Sequence, residues 1–484
     1  MTGSTRASGI DAVFAARETE RKAPSAVWAT FDRDGVTHRG ASGTLDGRRP
    51  GPDTAYRIAS CTKSFTATAL LALRDAGEVD LDAPVTDWVP AFREVALPTA
   101  DSPVPTIRML ATMSAGFPTD DPWGDRQESL TDAGLDAVLR RGLTFDSVPG
   151  TTFAYSNLGY ALLGRVIAEA AGRAYREVIE RDVLEPLGLA STGFTTDVDA
   201  AGGLAVGHRR VGDGWEPLPF SGPGAFSSIG GLFSTTDDLA RWARWLGSAF
   251  DPEAEGDHEG VLSRASRREM QQIQRFVPGL GAHPGGYGLG LFVEHHPDHG
   301  AIVSHSGGYP GFSAHMRWHA ATGVGAIGFE NATYAQVSVP VTLALDGLLA
   351  ETASSRVATA PWPETLAARD AVEGLVLGDD EPGDWLAENI ELDVPLGRRR
   401  RQWAEAVAAV GGIARIDAAG DAPAEDRGGA RGTVADAPVD ESKAPSHLVW
   451  RRAGRRGLLR FEIRLTPESP PRVQTLTVRA ETAH

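Results

Sequence analysis

The chain has 484 residues, of which 42% are hydrophobic and 23% charged, the balance of an ordinary globular protein. Its 47 basic and 64 acidic residues leave a net charge of −17, which argues against a nucleic-acid or anionic-membrane binder. A single cysteine, Cys61, excludes a disulfide scaffold and a cysteine-rich metal site, and no apolar run is long enough for a membrane helix.

The N-terminal MTGSTRASGIDAVFAARETERK holds no apolar signal core, so a cytoplasmic protein is expected. Residues 26–44 read as two strands around an Asp34-Gly35 turn. Residues 60–76 read as an apolar helix ended by Gly77. From 78 to 280 the pattern is helical and loop-rich, with helices expected at 157–172 and 236–249. The period then changes. YGLGLFVEHH (287–296), AIVSHS (301–306), SAHMRWHA (313–320) and GVGAIGFEN (323–331) read as strands, followed by a helix over 334–352. Strands at both ends with helices between predict an α+β fold in which the first hairpin joins the late strands in one antiparallel sheet. That domain spans 1–352. Residues 353–383, rich in Pro, Ala and Asp, read as a linker. Residues 384–484 read as a small α+β domain with a helix at 395–411, a polar low-complexity stretch at 417–446, and strands at 447–452, 457–465 and 472–480.

Only Lys22, Lys63 and Lys443 are lysines; the other basic residues are arginines. Arginine serves for surface charge but does not give up its proton, whereas a buried lysine can. Lys63 stands in the apolar setting Ile58-Ala59-Ser60-Cys61-Thr62-Lys63-Ser64-Phe65. Ser60 and Lys63, three apart at a helix start, share a face. A serine hydroxyl needs a base to become a nucleophile, and a lysine deprived of water, near other positive charge, is neutral enough to be one. The helix start also offers the Ser60 N–H to an oxyanion.

Two further patterns add to this pair. In Phe153-Ala154-Tyr155-Ser156-Asn157, Tyr155 can relay protons and Asn157 can hold Lys63 or a substrate carbonyl. Alone it equally fits a packed tyrosine beside a helix-capping asparagine. In Val303-Ser304-His305-Ser306-Gly307-Gly308, glycines let a substrate backbone lie along a strand, His305 would face the cleft and Gly308 N–H would be a second oxyanion donor. Alone it fits a hairpin end.

Together, Ser60-Cys61-Thr62-Lys63, Tyr155-Ser156-Asn157 and His305-Ser306-Gly307 resemble the Ser-x-x-Lys, Tyr-x-Asn and Lys-Thr-Gly motifs of the serine β-lactamase and penicillin-binding protein superfamily. The likeness is to its class C-like branch, with family VIII esterases, D-aminopeptidases and penicillin-binding-protein-type peptide thioesterases. Leu110-Ala111-Thr112-Met113-Ser114-Ala115-Gly116-Phe117 and Gly230-Gly231-Leu232-Phe233-Ser234-Thr235-Thr236-Asp237-Asp238-Leu239 resemble two more of its stretches, so the resemblance covers residues 10–350. It implies a β-lactamase/transpeptidase-like fold and acylation of Ser60, with Lys63 and Tyr155 as acid and base. It also implies an oxyanion hole of the Ser60 and Gly308 N–H groups, with His305 and Gly307 in the substrate strand, and no metal or cofactor. The expected substrate is a small ester or amide, cleaved as by an esterase or a D-aminopeptidase. Acyl transfer, peptide cyclisation, a class C-like β-lactamase and a non-catalytic binding protein are the alternatives. His305 replaces a lysine that clamps substrate carboxylates, so weak or no penicillin hydrolysis is expected. Met113 replaces a histidine and reads as a packing change.

Four other features are weighed. Glu294, His295, His296, Asp298 and His299 are metal-ligand types in one turn, which also reads as a solvated hairpin. Asp120, Asp121 and Asp125 read as an Asx-turn loop or as an acidic cleft mouth that attracts an amine. Arg398 to Arg401 read as a solvated helix face. Cys61 is expected to face away from the site.

Overall fold

The run Ser25–Phe31 forms a strand buried at every position. Its side chains alternate, so Val27 and Phe31 enter one core while Ala26 and Trp28 enter another on the opposite face. A strand covered on both faces has no polar side, which explains its unbroken apolar run. The structure is a computed structural model and describes residues 3–45, 47–196, 198–254, 258–352, 360–378, 381–413 and 441–482. The chain divides into two compact units, Met1–Ser354 and Ser355–His484.

In the first unit the order across an eight-stranded sheet is Val36–Gly43, Ser25–Phe31, Gly325–Glu330, Phe312–His319, Gly300–Tyr309, Phe292–His296, Gly285–Tyr287 and Arg275–Phe276. Every pairing is antiparallel. The first hairpin therefore does join the late strands, as expected. One helix, Gly3–Thr19, has no counterpart in the sequence reading. It lies with Ser338–Thr352 on one face of the sheet, where Phe14 stacks on Trp28 at 4.5 Å and Arg17 pairs with buried Glu330 at 2.7 Å. The segment 287–296, read as one strand, is two strands of a hairpin, because Gly290 turns the chain at φ +74°.

The helix Thr62–Asp75 is buried from Thr62 to Leu71. Phe65 stacks on Trp242 of the helix Thr236–Gly247 at 3.8 Å, and Trp242 Nε1 donates to Ser64 Oγ at 3.0 Å. Burial of Phe65, Leu70 and Leu71 contributes about 1.5–3 kcal/mol each. That packing fixes the helix whose first turn carries the predicted nucleophile.

The second unit has a four-stranded antiparallel sheet, Glu441–Ala444, His447–Ala453, Gly457–Leu465 and Val473–Thr482. The helix Leu396–Ala409 contributes Trp403 to its core, and Trp450 stacks on Phe461 at 4.9 Å. The linker expected over 353–383 is corrected here. Pro363–Leu377 is a helix that starts on Pro363, ends at Gly378 with φ +86°, and buries Ala368, Val372, Leu375 and Val376. Its Ala- and Pro-containing composition hides an apolar stripe. Of the low-complexity stretch expected at 417–446, residues up to 440 lie outside the described residues, and 441–444 form the edge strand.

Candidate active site

Ser60 lies in a single 3-10 turn, Ala59–Cys61, that leads into the helix Thr62–Asp75. Ala59, just before it, has φ +46°, a left-handed conformation that costs a non-glycine residue energy and is found at functional turns. Three contacts seat the turn against the strand Gly300–Tyr309. The Cys61 thiol donates to the His305 carbonyl at 3.3 Å. A Cβ on Gly307 would lie 2.3 Å from the Ile58 carbonyl oxygen, so only glycine fits there. Arg57, paired with buried Glu128 at 2.9 Å, stacks on Tyr309 at 3.9 Å. Cys61 is buried, and burial pushes its thiol up to about 12, so it stays protonated and away from the chemistry.

Lys63 Nζ is fully buried and has three partners: Ser60 Oγ at 3.1 Å, Asn157 Oδ1 at 2.7 Å and the Ile229 carbonyl at 2.8 Å. Asn157 Oδ1 and the Ile229 carbonyl can only accept. A neutral amine has two N–H donors and one lone pair, so with both donors committed the lone pair faces the Ser60 hydroxyl. Burial pulls the Lys63 pKa down to about 8, against Asp121, Asp125 and Asp120, which hold it up. The nearby positive charge expected from the sequence is absent among the described residues around this amine. Desolvation alone lowers it, and the surrounding charges are acidic.

Asn157 is the first residue of the helix Asn157–Ala171, and Ser156 is its cap, accepting from Gly159 N–H. Asn157 is buried between Lys63 and Asp121, to which its Nδ2 donates at 2.9 Å. It therefore holds the lysine rather than a substrate carbonyl. Tyr155 shares a side-chain hydrogen bond with Ser60, and burial raises its phenol well above 10. Met113, at φ +56°, backs this segment: its carbonyl accepts from Ala154 N–H at 2.8 Å and its sulfur from Ser156 N–H at 3.3 Å. The residue read as a packing change thus positions the Tyr155–Asn157 segment.

Ser60, Tyr155, His305 and Gly308 line one cavity of about 550 Å³, together with Asp121, Asp125, Phe292, His315, Arg317 and Tyr334. The strand Gly300–Tyr309 pairs with Phe292–His296 only up to Ser304, so residues 305–309 present an edge on that side. Gly308 lies under the Tyr334 ring, which a Cβ would meet at 2.7 Å. His305 corrects an expectation. It is 1% exposed; its Nδ1–H donates to the Ser306 carbonyl at 2.6 Å, and its Nε2 takes the Tyr287 hydroxyl at 3.3 Å. Burial and the Lys63 charge push it down to about 3, so it carries no positive clamp even in mild acid.

A model of the beta-lactamase family matches residues 10–351. The chain belongs to the beta-lactamase family. It is similar to the esterase EstB of Burkholderia gladioli, 30% identical over 388 residues, which cover 71% of this chain and 95% of that protein. It is also similar to the D-alanyl-D-alanine-carboxypeptidase/endopeptidase AmpH of Escherichia coli K12, 30% identical over 295 residues, covering 57% of this chain and 71% of that one. The octameric penicillin-binding protein homologue of Pyrococcus abyssi shares the fold across 98% of both chains, with a TM-score of 0.62 at 22% identity. The present chain is a serine hydrolase of this fold.

The acidic loop caps a helix and forms part of the cavity wall. Asp120 caps the helix Asn157–Ala171, accepting from Asn157 N–H at 2.6 Å and Leu158 N–H at 2.9 Å, while Asp121 and Asp125 face the cavity. In the 294–299 hairpin the His296 ring meets His283 edge-on at 4.3 Å and lies tilted against His299 at 4.6 Å. Among the described residues no group of three or more His, Cys, Asp or Glu side chains is placed to hold a metal. Arg399 donates to the Ile390 carbonyl at 3.0 Å, while Arg398, Arg400 and Arg401 are exposed, as expected of a solvated helix face. Among the described residues no helix is long and apolar enough to cross a membrane. Ile229 was beyond sequence reasoning, since it acts through a backbone carbonyl. Tyr334 also went unseen, standing alone in a loop without a motif.

Proposed function

We propose that the chain cleaves a small ester or amide by acylating Ser60. Neutral Lys63 takes the Ser60 proton as the oxygen attacks the substrate carbonyl. The oxyanion is received by the N–H groups of Ser60 and Gly308. Tyr155 remains a phenol at neutral pH, so it passes a proton to the leaving group and is recharged from Lys63. Water then attacks the acyl-enzyme with Lys63 again as base, releasing the acid and restoring Ser60. The observation that carries this reading is the amine committed to Asn157 and Ile229 with its remaining position on Ser60.

The resemblance to a named esterase and a named carboxypeptidase supports an ester or amide substrate. Weak nitrocefin turnover is part of the proposal, because the cationic group in the cavity lining, Arg317, is paired with Glu294 at 2.6 Å. The test is a fluorophosphonate probe followed by p-nitrophenyl esters, D- and L-aminoacyl anilides and nitrocefin. Labelling at Ser60, absent in Ser60→Ala, with ester or anilide turnover supports the proposal. An unlabelled Ser60 in folded protein contradicts it.

A further inference from the structure

The charges around the cavity do not balance. Its lining holds three acidic groups, Asp121, Asp125 and Glu294, and one guanidinium, Arg317. Glu294 and Arg317 neutralise each other at 2.6 Å. His305 and His315 are buried and neutral. Lys63, beneath Ser60, has its amine committed to Ser60, Asn157 and the Ile229 carbonyl, so it offers a ligand no free cation. That leaves Asp121 and Asp125 as the acidic groups of the lining that Arg317 does not neutralise.

Asp125 is 3% exposed, and the hydrogen bond it receives is from a neutral donor, the Tyr334 hydroxyl at 2.8 Å. Tyr334 sits at φ +49° and Gln336 at φ +62°, in a loop held at its base by Thr333, whose hydroxyl takes the Gly311 N–H at 2.8 Å. Strained backbone of this kind persists where surrounding contacts impose it, and it gathers at ligand sites. The Tyr334 ring lies on Gly308 while its hydroxyl reaches Asp125. The carboxylate is thus one phenol length from the oxyanion strand. A separate observation also points to a ligand: His315, 4% exposed and lining the same cavity, has no partner for Nε2 among the described residues. A molecule filling the cavity would supply one.

Given a Ser60 hydrolase, we infer that the cavity selects substrates carrying a free amine near the scissile carbonyl, with Asp125 as the ammonium's counter-ion in place of the Tyr334 hydroxyl. The phenol brings a neutral donor to the Asp125 carboxylate, whereas an ammonium brings a full opposite charge to the same acceptor, so it competes with the phenol for that position. A carboxylate-bearing substrate finds no free guanidinium in the lining, since Arg317 is paired with Glu294. Aminoacyl amides and esters fit this chemistry.

The test compares D- and L-alaninamide with D- and L-lactamide, isosteres in which a hydroxyl replaces the amine, as protectors of Ser60 against a fluorophosphonate in the full chain. At least one alaninamide is expected to protect at a concentration tenfold or more below its lactamide. Asp125→Asn should collapse that ratio to about one, and Tyr334→Phe, which removes the competing phenol, should lower the protecting concentration severalfold. Equal protection by the two isosteres, no protection by either, or a preference that survives Asp125→Asn overturns the inference. Calorimetric binding of the same pair to Ser60→Ala reads the amine preference without Ser60 chemistry. An unlabelled Ser60 with intact amine preference would sink the hydrolase reading alone.

Discussion

Asp121→Asn should make the enzyme work at lower pH. Asn157 joins Asp121 to Lys63 through contacts of 2.9 and 2.7 Å, and among the charges that hold the lysine protonated Asp121 is foremost. Asparagine keeps an acceptor for Asn157 Nδ2, so the geometry is preserved while the charge goes. At roughly 6 Å and an effective dielectric of about 20, the lost attraction is about 2–3 kcal/mol, enough to move the lysine by one unit or more. With Lys63 near 8, about a tenth of the wild-type sites hold the neutral amine at pH 7, and a fall of about one unit raises that to about half. Fluorophosphonate labelling of Ser60 at pH 7 should therefore quicken about fivefold. The assay is the labelling rate between pH 5 and 10. The wild-type rate should climb with pH through about 8, and the variant's midpoint should sit lower. A midpoint that stays put or moves up would refute the electrostatic reasoning.

Lys63→Arg keeps the charge but cannot act as the base, so labelling and turnover should fall by on the order of 10²–10⁴ in steady-state kinetics. Asp125→Asn should stabilise the protein at neutral pH. Burial raises this carboxyl to about 7, above its unfolded value of about 3.9, so the unfolded state releases the proton first and native stability declines between about pH 4 and 7. The variant escapes that decline by at most about 4 kcal/mol, so its Tm advantage should grow across this window and level off above it, as calorimetry at pH 4, 6 and 8 would show. A constant Tm difference would count against a buried, strained charge at this position.

The sheet was legible because its strands are buried on both faces and their apolar runs stand out between turn signals. Ser60 and Lys63 were legible from spacing and from the scarcity of lysine, and the distance of 3.1 Å agrees with that spacing. What escaped the sequence acts without a side-chain signature or across long separations. The Ile229 carbonyl leaves no trace in residue type. Tyr334 meets Asp125 over 209 positions. The helix Pro363–Leu377 was hidden by Ala and Pro that usually mark linkers. His305 misled because residue type suggested a titrating clamp, whereas the Ser306 and Tyr287 contacts bury it as a neutral ring.

With three lysines in the chain, ε-nitrogen NMR of lysine-labelled protein can follow Lys63 directly. The resonance lost in Lys63→Arg should titrate near 8. If that resonance titrates instead near the free-lysine value of about 10.4, Lys63 stays an ammonium at the pH of catalysis, and it is not the base that activates Ser60.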